Sequence, residues 1–308
     1  MNKIDLAIVG GGAAGMAAAL YAARSNLNVV LFEGQSPGGQ ITLTNEVENY
    51  PGLGVENPIS GPEIAMLFLN HAEKFGSKTE YTFVDSIEGT AGKFILKTSN
   101  GSWLSKAIIL APGSKAKEIG VPGERELMGL GVSTCATCDG AFFRDQEVVV
   151  IGGGNSAIEE GLFLTRFAKK VTIVHRRQEF RATPVILERA KKNEKIEWKF
   201  DCVVEKINGK NKVENVEIRN IKNNQTETFE TNGVFIFIGH NPNTNFIKNT
   251  VNLDDQGYID VNNKQETSIK GIWSAGDCSD HHYKQLITSA GDGVKAALNA
   301  IHWLEENS

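Results

Sequence analysis

Two segments of the chain share one pattern of apolar and polar positions. In the first, an apolar run at 4–9 leads through glycines into an alanine-rich stretch and a second apolar run at 29–32. The second segment repeats this order, with apolar runs at 148–151 and 171–174. Apolar, β-branched runs are typical of buried strands, and glycines between such a run and a helical stretch are typical of a βαβ unit. The pattern therefore predicts strand, glycine turn, helix and strand, twice.

Other runs complete the predicted fold. Strand patterns occur at 196–200, 213–220 and 233–239, and the apolar spacing of 285–304 predicts a long helix. A length of 308 residues is typical of about two domains. We therefore predict an α/β fold with two Rossmann-like, doubly wound nucleotide-binding domains.

The glycines of both copies follow the spacing of dinucleotide-binding turns. The first position permits a tight turn, the second lets a pyrophosphate approach the backbone, and the third lets the helix pack closely on the strand. These positions are Gly10, Gly12 and Gly15 in the first copy, and Gly152, Gly154 and Ala157 in the second. The helices then begin with Ala13 and Ala14, or with Asn155 and Ser156, and their first amides are expected to hold phosphates.

The residue that ends each copy distinguishes the two ligands. Glu33 ends the first copy, and its carboxylate can accept a hydrogen bond from a ribose 2′-hydroxyl but would repel a 2′-phosphate. His175 ends the second copy, and Arg176, Arg177 and Arg181 follow it. This cationic cluster suits a 2′-phosphate, because guanidinium groups pair with phosphate oxygens in a bidentate way. Since FAD and NADPH form a hydride-transfer pair, we predict FAD in the first site and NADPH in the second.

The charge balance and the N-terminus restrict the partners and the compartment. Lys and Arg total 32 against 37 Asp and Glu, a formal net charge of −5, and no long basic run offsets it. Nucleic acid is therefore not expected as a partner. The chain enters its first strand pattern at once, without a charged leader or an apolar segment of membrane-spanning length. We expect a cytoplasmic protein with no membrane partner.

A pair of cysteines with the spacing CxxC, Cys135 and Cys138, lies between the two copies. A structural staple is disfavoured in a reducing compartment, and zinc would need two further ligands, whereas Cys202 and Cys278 are isolated in the sequence. We expect no metal. The CxxC spacing commonly lowers the pKa of one thiol, so a redox-active pair is favoured. Asp139 comes next and is either a general acid for a departing thiolate or a turn residue.

Several short segments carry a resemblance to a known family. They are "CATCDG" at 135–140, "HRRQEFRA" at 175–182, "AGDCSD" at 275–280, "GGQITLTNEVENYPG" at 38–52 and "IGHNPNT" at 238–244. In these segments, and over nearly its whole length, the chain resembles the low-molecular-weight thioredoxin reductases. In the larger glutathione-reductase type the redox cysteines follow the first glycine motif closely. Here that region has Gly38, Gly39 and Gln40 and no cysteine.

The resemblance implies a homodimeric flavoenzyme that reduces thioredoxin. Electrons would pass from NADPH to FAD, then to a disulfide between Cys135 and Cys138, and then to the disulfide of thioredoxin. By the same resemblance Cys138 is the sulfur nearest the flavin, Cys135 attacks the partner, and Asp139 is the acid.

The resemblance also implies a set of FAD contacts outside the glycine turn. They lie in the loop 33–40, at Asn49, and in the segment 276–286. The residues concerned are Gly38, Gly39, Gln40, Asn49, Gly276, Asp277, Lys284, Gln285 and Leu286. Asp277 would hold the hydroxyls of the flavin side chain, and the last helix would direct its first amides at the flavin ring. Lys284 and Leu286 depart from the family pattern, in which arginine and alanine are usual.

The order of the motifs predicts one domain inserted into another. The cysteine pair and the second glycine motif are consecutive, so we expect an NADPH domain at 117–244 within an FAD domain formed by 1–116 and 245–308. The crossing segments, 112–117 and 240–244, are rich in turn formers. Nicotinamide and dithiol must then both reach one flavin, and we expect the crossing segments to be the hinge of a domain rotation.

Other functions would retain part of this pattern. A flavin-dependent dithiol oxidase would keep the cysteines without needing NADPH. A ferredoxin– or flavin–NADP reductase of the same fold would not need the cysteines. A non-catalytic redox sensor would use the pair only to report oxidation. The arginine cluster and the CxxC pair together favour the reductase.

Overall fold

The computed structural model describes residues 1–34, 38–44 and 46–307. The chain divides into two compact units. Unit 1 consists of 1–115 and 241–308, and unit 2 consists of 116–240.

Unit 1 is built on a seven-stranded sheet, as far as the described residues go. Its strands are β1 (Asn2–Val9), β2 (Val29–Glu33), β3 (Lys78–Tyr81), β4 (Val84–Thr90), β5 (Lys93–Thr98), β6 (Gly101–Leu110) and β17 (Ile272–Ser274). The order is β3-β2-β1-β6-β5-β4, and β17 also pairs with β6. Strands β3, β2, β1, β6 and β17 pair in parallel, whereas β4 and β5 are antiparallel to their neighbours. The long strand β6 therefore pairs with both β5 and β17 along one of its edges.

The helices of unit 1 are α1 (Ala13–Arg24), α2 (Gly61–Lys74) and α6 (Leu286–Glu306), with 3₁₀ helices at Gly39–Leu43 and Asn245–Ile247. The predicted long C-terminal helix is confirmed as α6. Ser60 begins α2 with a capping box, in which its hydroxyl accepts from the Glu63 amide and the Glu63 carboxylate accepts from the Ser60 amide.

Unit 2 contains a five-stranded parallel sheet and a three-stranded antiparallel sheet. Its strands are β8 (Val132–Ser133), β9 (Glu147–Ile151), β10 (Lys170–His175), β11 (Ile196–Phe200), β12 (Cys202–Asn208), β13 (Asn215–Asn220), β14 (Thr226–Glu230) and β15 (Gly233–Ile236). The helices are α3 (Ala136–Asp139), α4 (Asn155–Leu164) and α5 (Pro184–Lys191), with a 3₁₀ helix at Gly140–Phe143. The parallel order is β11-β10-β9-β15-β8, and β12-β13-β14 form the other sheet.

The predicted α/β fold with two Rossmann-like units is confirmed. In both units the strand before the glycine turn lies between the strand that ends the repeat and a returning strand: β2-β1-β6 in one, β10-β9-β15 in the other. The strands expected at 196–200, 213–220 and 233–239 are observed as β11, β13 and β15.

Each parallel sheet has apolar residues buried on both faces. In unit 1, α1, α2 and α6 cover one face, and β4, β5 and the segment 247–259 contribute to the cluster on the other. In unit 2, α4 and α5 cover one face, and the antiparallel sheet covers the other. The second face of unit 2 is thus covered by strands rather than by helices.

The two crossing segments pair with each other. Strands β7 (Ser114–Ala116) and β16 (His240–Pro242) form a two-stranded sheet. The Asn243 side chain donates to the Pro112 carbonyl over 2.9 Å, and the Lys117 amide donates to the Gly239 carbonyl over 2.9 Å. The chain therefore leaves and re-enters unit 1 along adjacent strands.

Candidate functional site

The first glycine turn joins β1 to α1. Gly10 has φ +109°, and a β-carbon there would overlap the carbonyl oxygen of Ala111. A β-carbon at Gly15 would overlap the carbonyl oxygen of Gly10, so glycine permits the close packing of helix on strand. At Gly12, by contrast, nothing lies within 4 Å of an added β-carbon. The space above Gly12 is open, which fits a pyrophosphate approaching the backbone.

The second turn, between β9 and α4, has the same geometry. Gly152 has φ +154°, and a β-carbon there would overlap the carbonyl oxygen of Phe237. At Gly154 nothing lies within 4 Å of an added β-carbon. The equivalence extends to the returning strands, since Ala111 follows β6 and Phe237 follows β15.

The first turns of α1 and α4 can both accept an anion. Gly12 and Gly154 are the N-caps, and neither helix receives a side-chain cap at this end. Helices of 12 and 10 residues direct several free backbone amides and a positive dipole end toward these turns. The first backbone amides come from Ala13 and Ala14 in α1 and from Asn155 and Ser156 in α4. The geometry fits two phosphate-binding turns.

Glu33, at the end of β2, has the features of an unfilled hydrogen-bond acceptor. Its Oε1 accepts from the Gly34 amide over 3.1 Å, whereas Oε2 is buried without a hydrogen-bond partner among the described residues. Burial raises the pKa of Glu33, and the amides of Gly34 and Gly11 oppose that shift. A buried acceptor of this kind suits a ligand hydroxyl, so the site fits the ribose of a dinucleotide.

The middle glycine of each motif is a site residue that the sequence reasoning missed. A β-carbon at Gly11 would overlap the Glu33 carboxylate, and one at Gly153 would overlap the His175 ring. Each glycine therefore lets the residue that ends the second strand lie against the turn. The signal was present in the sequence, because both motifs read GGG rather than GxG.

The loop after β2 lies beside the first turn. The Gly38 amide donates to the Gly11 carbonyl over 2.9 Å, and an added β-carbon at Gly39 would lie 3.4 Å from the Gly12 Cα. Both residues have positive φ. Gln40 follows in the 3₁₀ helix and is exposed. Residues 35–37 of the predicted contact loop lie outside the described residues.

A second predicted segment reaches the same turn. A β-carbon at Gly276, which has φ +78°, would lie 2.9 Å from the Ala14 Cβ. Asp277 Oδ1 accepts from the Ser289 hydroxyl over 2.9 Å, and burial raises the pKa of Asp277. The Asp277 side chain is therefore bonded to the first turns of α6, and the preceding Gly276 lies against the start of α1.

The remaining predicted contacts of unit 1 lie at the start of α6. Asn49 Nδ2 donates to Gln285 Oε1 over 3.4 Å, and Gln285 is the N-cap of α6. Leu286 is the first residue of the helix. Lys284 has φ +46°, and its ammonium donates to the His281 carbonyl over 2.7 Å. Burial lowers the pKa of Lys284.

In unit 2 the predicted cations surround the end of β10. His175 is buried, stacks on Phe180 with ring centroids 4.7 Å apart, and contacts the Glu179 carbonyl through Nε2 over 3.1 Å. Burial lowers the pKa of His175, and the positive charges of Arg176, Arg177 and Arg181 lower it further, although the Glu179 contact opposes this. The arginines themselves are exposed, so their guanidinium groups are accessible to an anion.

The loop that carries these arginines is tied to the second glycine turn. The Arg181 amide donates to the Gly153 carbonyl over 2.9 Å, and the Thr183 amide donates to Asn155 Oδ1 over 2.8 Å. Asn155 thus holds the loop as well as beginning α4.

Cys135 and Cys138 form a disulfide around the start of α3, with Cα atoms 5.3 Å apart. The Ser133 hydroxyl donates to Asp139 Oδ2 over 2.5 Å and accepts from the Cys135 amide over 3.0 Å. Burial raises the pKa of Asp139, and the Ser133 hydrogen bond opposes the shift. A carboxyl group with a raised pKa suits a general acid better than a plain turn residue.

The other two cysteines lie in the core. Cys202 and Cys278 are free and buried, and burial raises the pKa of Cys278 to about 11. Within the described ranges no three His, Cys, Asp or Glu side chains gather as a metal site would require. In the same part of the chain, none of the helices is both long enough and apolar enough to cross a membrane.

Comparison with known proteins places this geometry in a family. The sequence matches the pyridine nucleotide-disulphide oxidoreductases over residues 4–297. A thioredoxin reductase of Mycolicibacterium smegmatis is 44% identical over 303 residues, which is 98% of this chain and 97% of that protein. One of Bacillus subtilis is 44% identical over 305 residues, 98% of this chain and 95% of that protein. The crystal structure of thioredoxin reductase from Streptococcus pyogenes has a TM-score of 0.94 at 44% identity and covers 99% of both chains.

The chain therefore belongs to the pyridine nucleotide-disulphide oxidoreductase family, and within it to the thioredoxin reductases. The resemblance predicted from the sequence is confirmed, and the protein is an oxidoreductase.

Proposed function

We propose that the protein is an NADPH-dependent thioredoxin-disulfide reductase with FAD as its resident cofactor. The observation that carries the proposal is the Cys135–Cys138 disulfide, which lies next to a partly buried carboxyl group in the unit that also contains the arginine-flanked glycine turn. Disulfide, acid and nucleotide turn are the parts that such a reductase requires.

We assign the FAD site to unit 1. The backbone amides at the start of α1 would hold the pyrophosphate, and the buried Oε2 of Glu33 would accept from a ribose hydroxyl. The other FAD residues proposed are those of the loop and of the start of α6: Gly38, Gly39, Gln40, Asn49, Gly276, Asp277, Lys284, Gln285 and Leu286. Asp277 is supported by its position against Ser289 beside the start of α1.

We assign the NADPH site to unit 2. The amides of Asn155 and Ser156 would hold the pyrophosphate, and the exposed guanidinium groups of Arg176, Arg177 and Arg181 would bind the 2′-phosphate. Burial and the positive charges of these arginines lower the pKa of His175, so its ring would be neutral. The contacts to the phosphate would then come from the arginines.

The thiol chemistry would take place at the cysteine pair. When bound, FAD would accept a hydride from NADPH and pass two electrons to the disulfide. Cys135, as a thiolate, would attack the disulfide of thioredoxin, and Asp139 would give its proton to the departing sulfur. Cys138 would then attack the mixed disulfide at Cys135 and release reduced thioredoxin.

The oligomeric state, the compartment and the domain limits belong to the same proposal. We propose a homodimer that acts in the cytoplasm, with the FAD domain at 1–116 and 245–308 and the NADPH domain at 117–244. The negative formal charge of −5 supports a protein partner rather than nucleic acid.

An anaerobic titration of the purified protein tests this function. We expect a yellow protein whose flavin absorbance bleaches on addition of NADPH and returns on addition of oxidised thioredoxin. Recovery only with oxygen would instead support a dithiol oxidase. A colourless protein that takes up no flavin would contradict the proposal and support a redox sensor.

A further inference from the structure

The Ser133 hydroxyl lies at the centre of the redox loop. Ser133 ends β8 and is only 4% exposed. Its Oγ lies 3.0 Å from the Cys135 nitrogen, 2.5 Å from Asp139 Oδ2 and 3.2 Å from the Cys135 carbonyl oxygen. The same carbonyl accepts from the Asp139 amide over 3.1 Å. One small side chain thus joins the first cysteine to the carboxyl group that follows the second.

A hydroxyl has one proton to donate and two lone pairs to accept with, so it can serve these neighbours in two ways. When Asp139 is ionised, Ser133 donates to the carboxylate and accepts from the Cys135 amide. When Asp139 is protonated, the carboxyl O–H donates to Ser133, which now accepts twice and turns its own proton to the Cys135 carbonyl. Every donor has a partner in both arrangements.

We propose that Ser133 is a positioning residue that holds Asp139 in one place, beside the cysteine pair, before and after Asp139 gives up its proton. This inference rests on the proposed function. In the step concerned, Cys135 Sγ forms a bond to one thioredoxin sulfur, the thioredoxin S–S bond breaks, and the other sulfur takes the Asp139 proton. The hydroxyl then rotates toward the new carboxylate, so Asp139 keeps its orientation.

The surroundings of Asp139 leave Ser133 as its main polar influence. The helix α4 and the 3₁₀ helix 140–143 pack against α3. Their titratable groups are Glu159 and Glu160 of α4, and neither shifts the pKa of Asp139. Among the described residues, burial raises that pKa and Ser133 lowers it.

The test is the reaction of the reduced holoenzyme with oxidised thioredoxin, followed by stopped flow across a range of pH. The rate should fall at high pH as Asp139 loses its proton. In Ser133→Ala we expect a maximal rate lower by about tenfold, because the acid is no longer oriented. The descending limb should also move to higher pH, since the hydrogen bond that favours the ionised form is gone. Flavin reduction by NADPH should be unchanged.

Three further variants separate positioning from general damage. Ser133→Thr keeps the hydroxyl and should restore the pH limb, and Thr134→Ala removes a neighbouring hydroxyl and should behave as the wild type. In an Asp139→Asn background, Ser133→Ala should have no further effect on this rate. An infrared band of the Asp139 carboxyl, identified by its loss in Asp139→Asn, should titrate at higher pH in Ser133→Ala.

The outcomes distinguish this inference from the proposed function. If the reduced wild type does not react with thioredoxin, the proposed function fails. If the wild type reacts but Ser133→Ala retains its rate and pH limb, only the role of Ser133 is wrong. An equal loss in the Asp139→Asn background would also overturn it, because Ser133 would then act independently of Asp139.

Discussion

One residue at the end of each repeat lies against the middle glycine of its turn. Glu33 lies against Gly11, and His175 lies against Gly153. The two units therefore present opposite chemistry at an equivalent position. In unit 1 it is a carboxylate oxygen that has no hydrogen-bond partner among the described residues, and in unit 2 it is a buried imidazole among arginines. The two proposed nucleotide sites therefore differ in the side chain at this position and in the arginines that follow it, rather than in the backbone of the turn.

The buried Glu33 oxygen, which has no partner in the described part of the chain, predicts that one substitution has opposite effects on FAD binding and on the stability of the apoprotein. We expect Glu33→Gln to weaken FAD binding about tenfold, because a charge-assisted hydrogen bond is lost. The same variant should stabilise the apoprotein at neutral pH by roughly 1 kcal/mol, because a buried carboxylate is removed. Calorimetric binding of FAD and urea unfolding of the apoprotein measure the two effects.

The pH dependence of that stability has a definite sign. The folded pKa of Glu33 is raised above 4.5, so the folded state binds the proton more tightly than the unfolded state. The unfavourable contribution of Glu33 to the stability of the folded protein is absent below the pKa of the unfolded state. It develops as the pH rises through the pKa of the folded state. The advantage of Glu33→Gln in the apoprotein should therefore grow with pH over that window. An advantage that is constant with pH would show that the carboxylate is not the cause.

The arginines of unit 2 predict the nucleotide preference. We expect the double substitution Arg176→Ala and Arg177→Ala to reduce the preference for NADPH over NADH by roughly tenfold or more. The measurement is the kcat/KM of flavin reduction with each nucleotide. Arg189→Ala in α5 is a matched control, because it removes an exposed arginine outside the loop. An unchanged preference in the double variant would place the phosphate site elsewhere.

At the scale of elements, the contact of α6 with α1 depends on the absence of a side chain. A β-carbon at Gly293 would overlap the carbonyl oxygen of Ala14, so the helices can approach closely only with glycine there. The start of α6 and the Asp277 segment both depend on this contact for their position beside the first glycine turn.

Two glycines of α6 form a matched pair for testing this packing. Gly293→Ala should destabilise the protein by roughly 1–3 kcal/mol, because the helices must separate. Gly291→Ala, two residues earlier, meets nothing within 4 Å and should stabilise the helix by roughly 0.5–1 kcal/mol. Thermal unfolding checks both, and FAD content should fall only in Gly293→Ala. Equal effects would mean that helix propensity alone decides.

The sequence predicted the repeated units because their chemistry is local. Each unit combines a glycine spacing, an apolar run and a helical stretch within some 25 residues. Short-range patterns of this kind indicate the same local elements in the folded protein. The sequence did not reveal that a second strand, β12, follows the predicted strand at 196–200 directly, separated from it at Asp201, which has φ +53°. Nor could it show the Ser133–Asp139 contact, because that depends on how a short helix turns back on the strand before it.

At the scale of the whole molecule, the proposed function requires that a dithiol and a nicotinamide site in unit 2 both serve one flavin bound to unit 1. We therefore keep the proposal that the crossing segments are a hinge. Cross-linking the two units covalently should abolish either flavin reduction by NADPH or reduction of thioredoxin, and cleaving the cross-link should restore it. Separate stopped-flow measurements of each half-reaction check this. If both survived in the cross-linked protein, rotation would be unnecessary.

The pairing of β7 with β16 has a further consequence for how such a chain can arise. Paired strands are about 4.8 Å apart, so the ends of the segment between them nearly coincide. A turn of a few residues could rejoin the flanking chain with little loss of entropy. A single insertion of a folded nucleotide-binding domain into a surface loop would thus produce this architecture. Unit 1 and unit 2 could later each be combined with a different domain, without any change to either core.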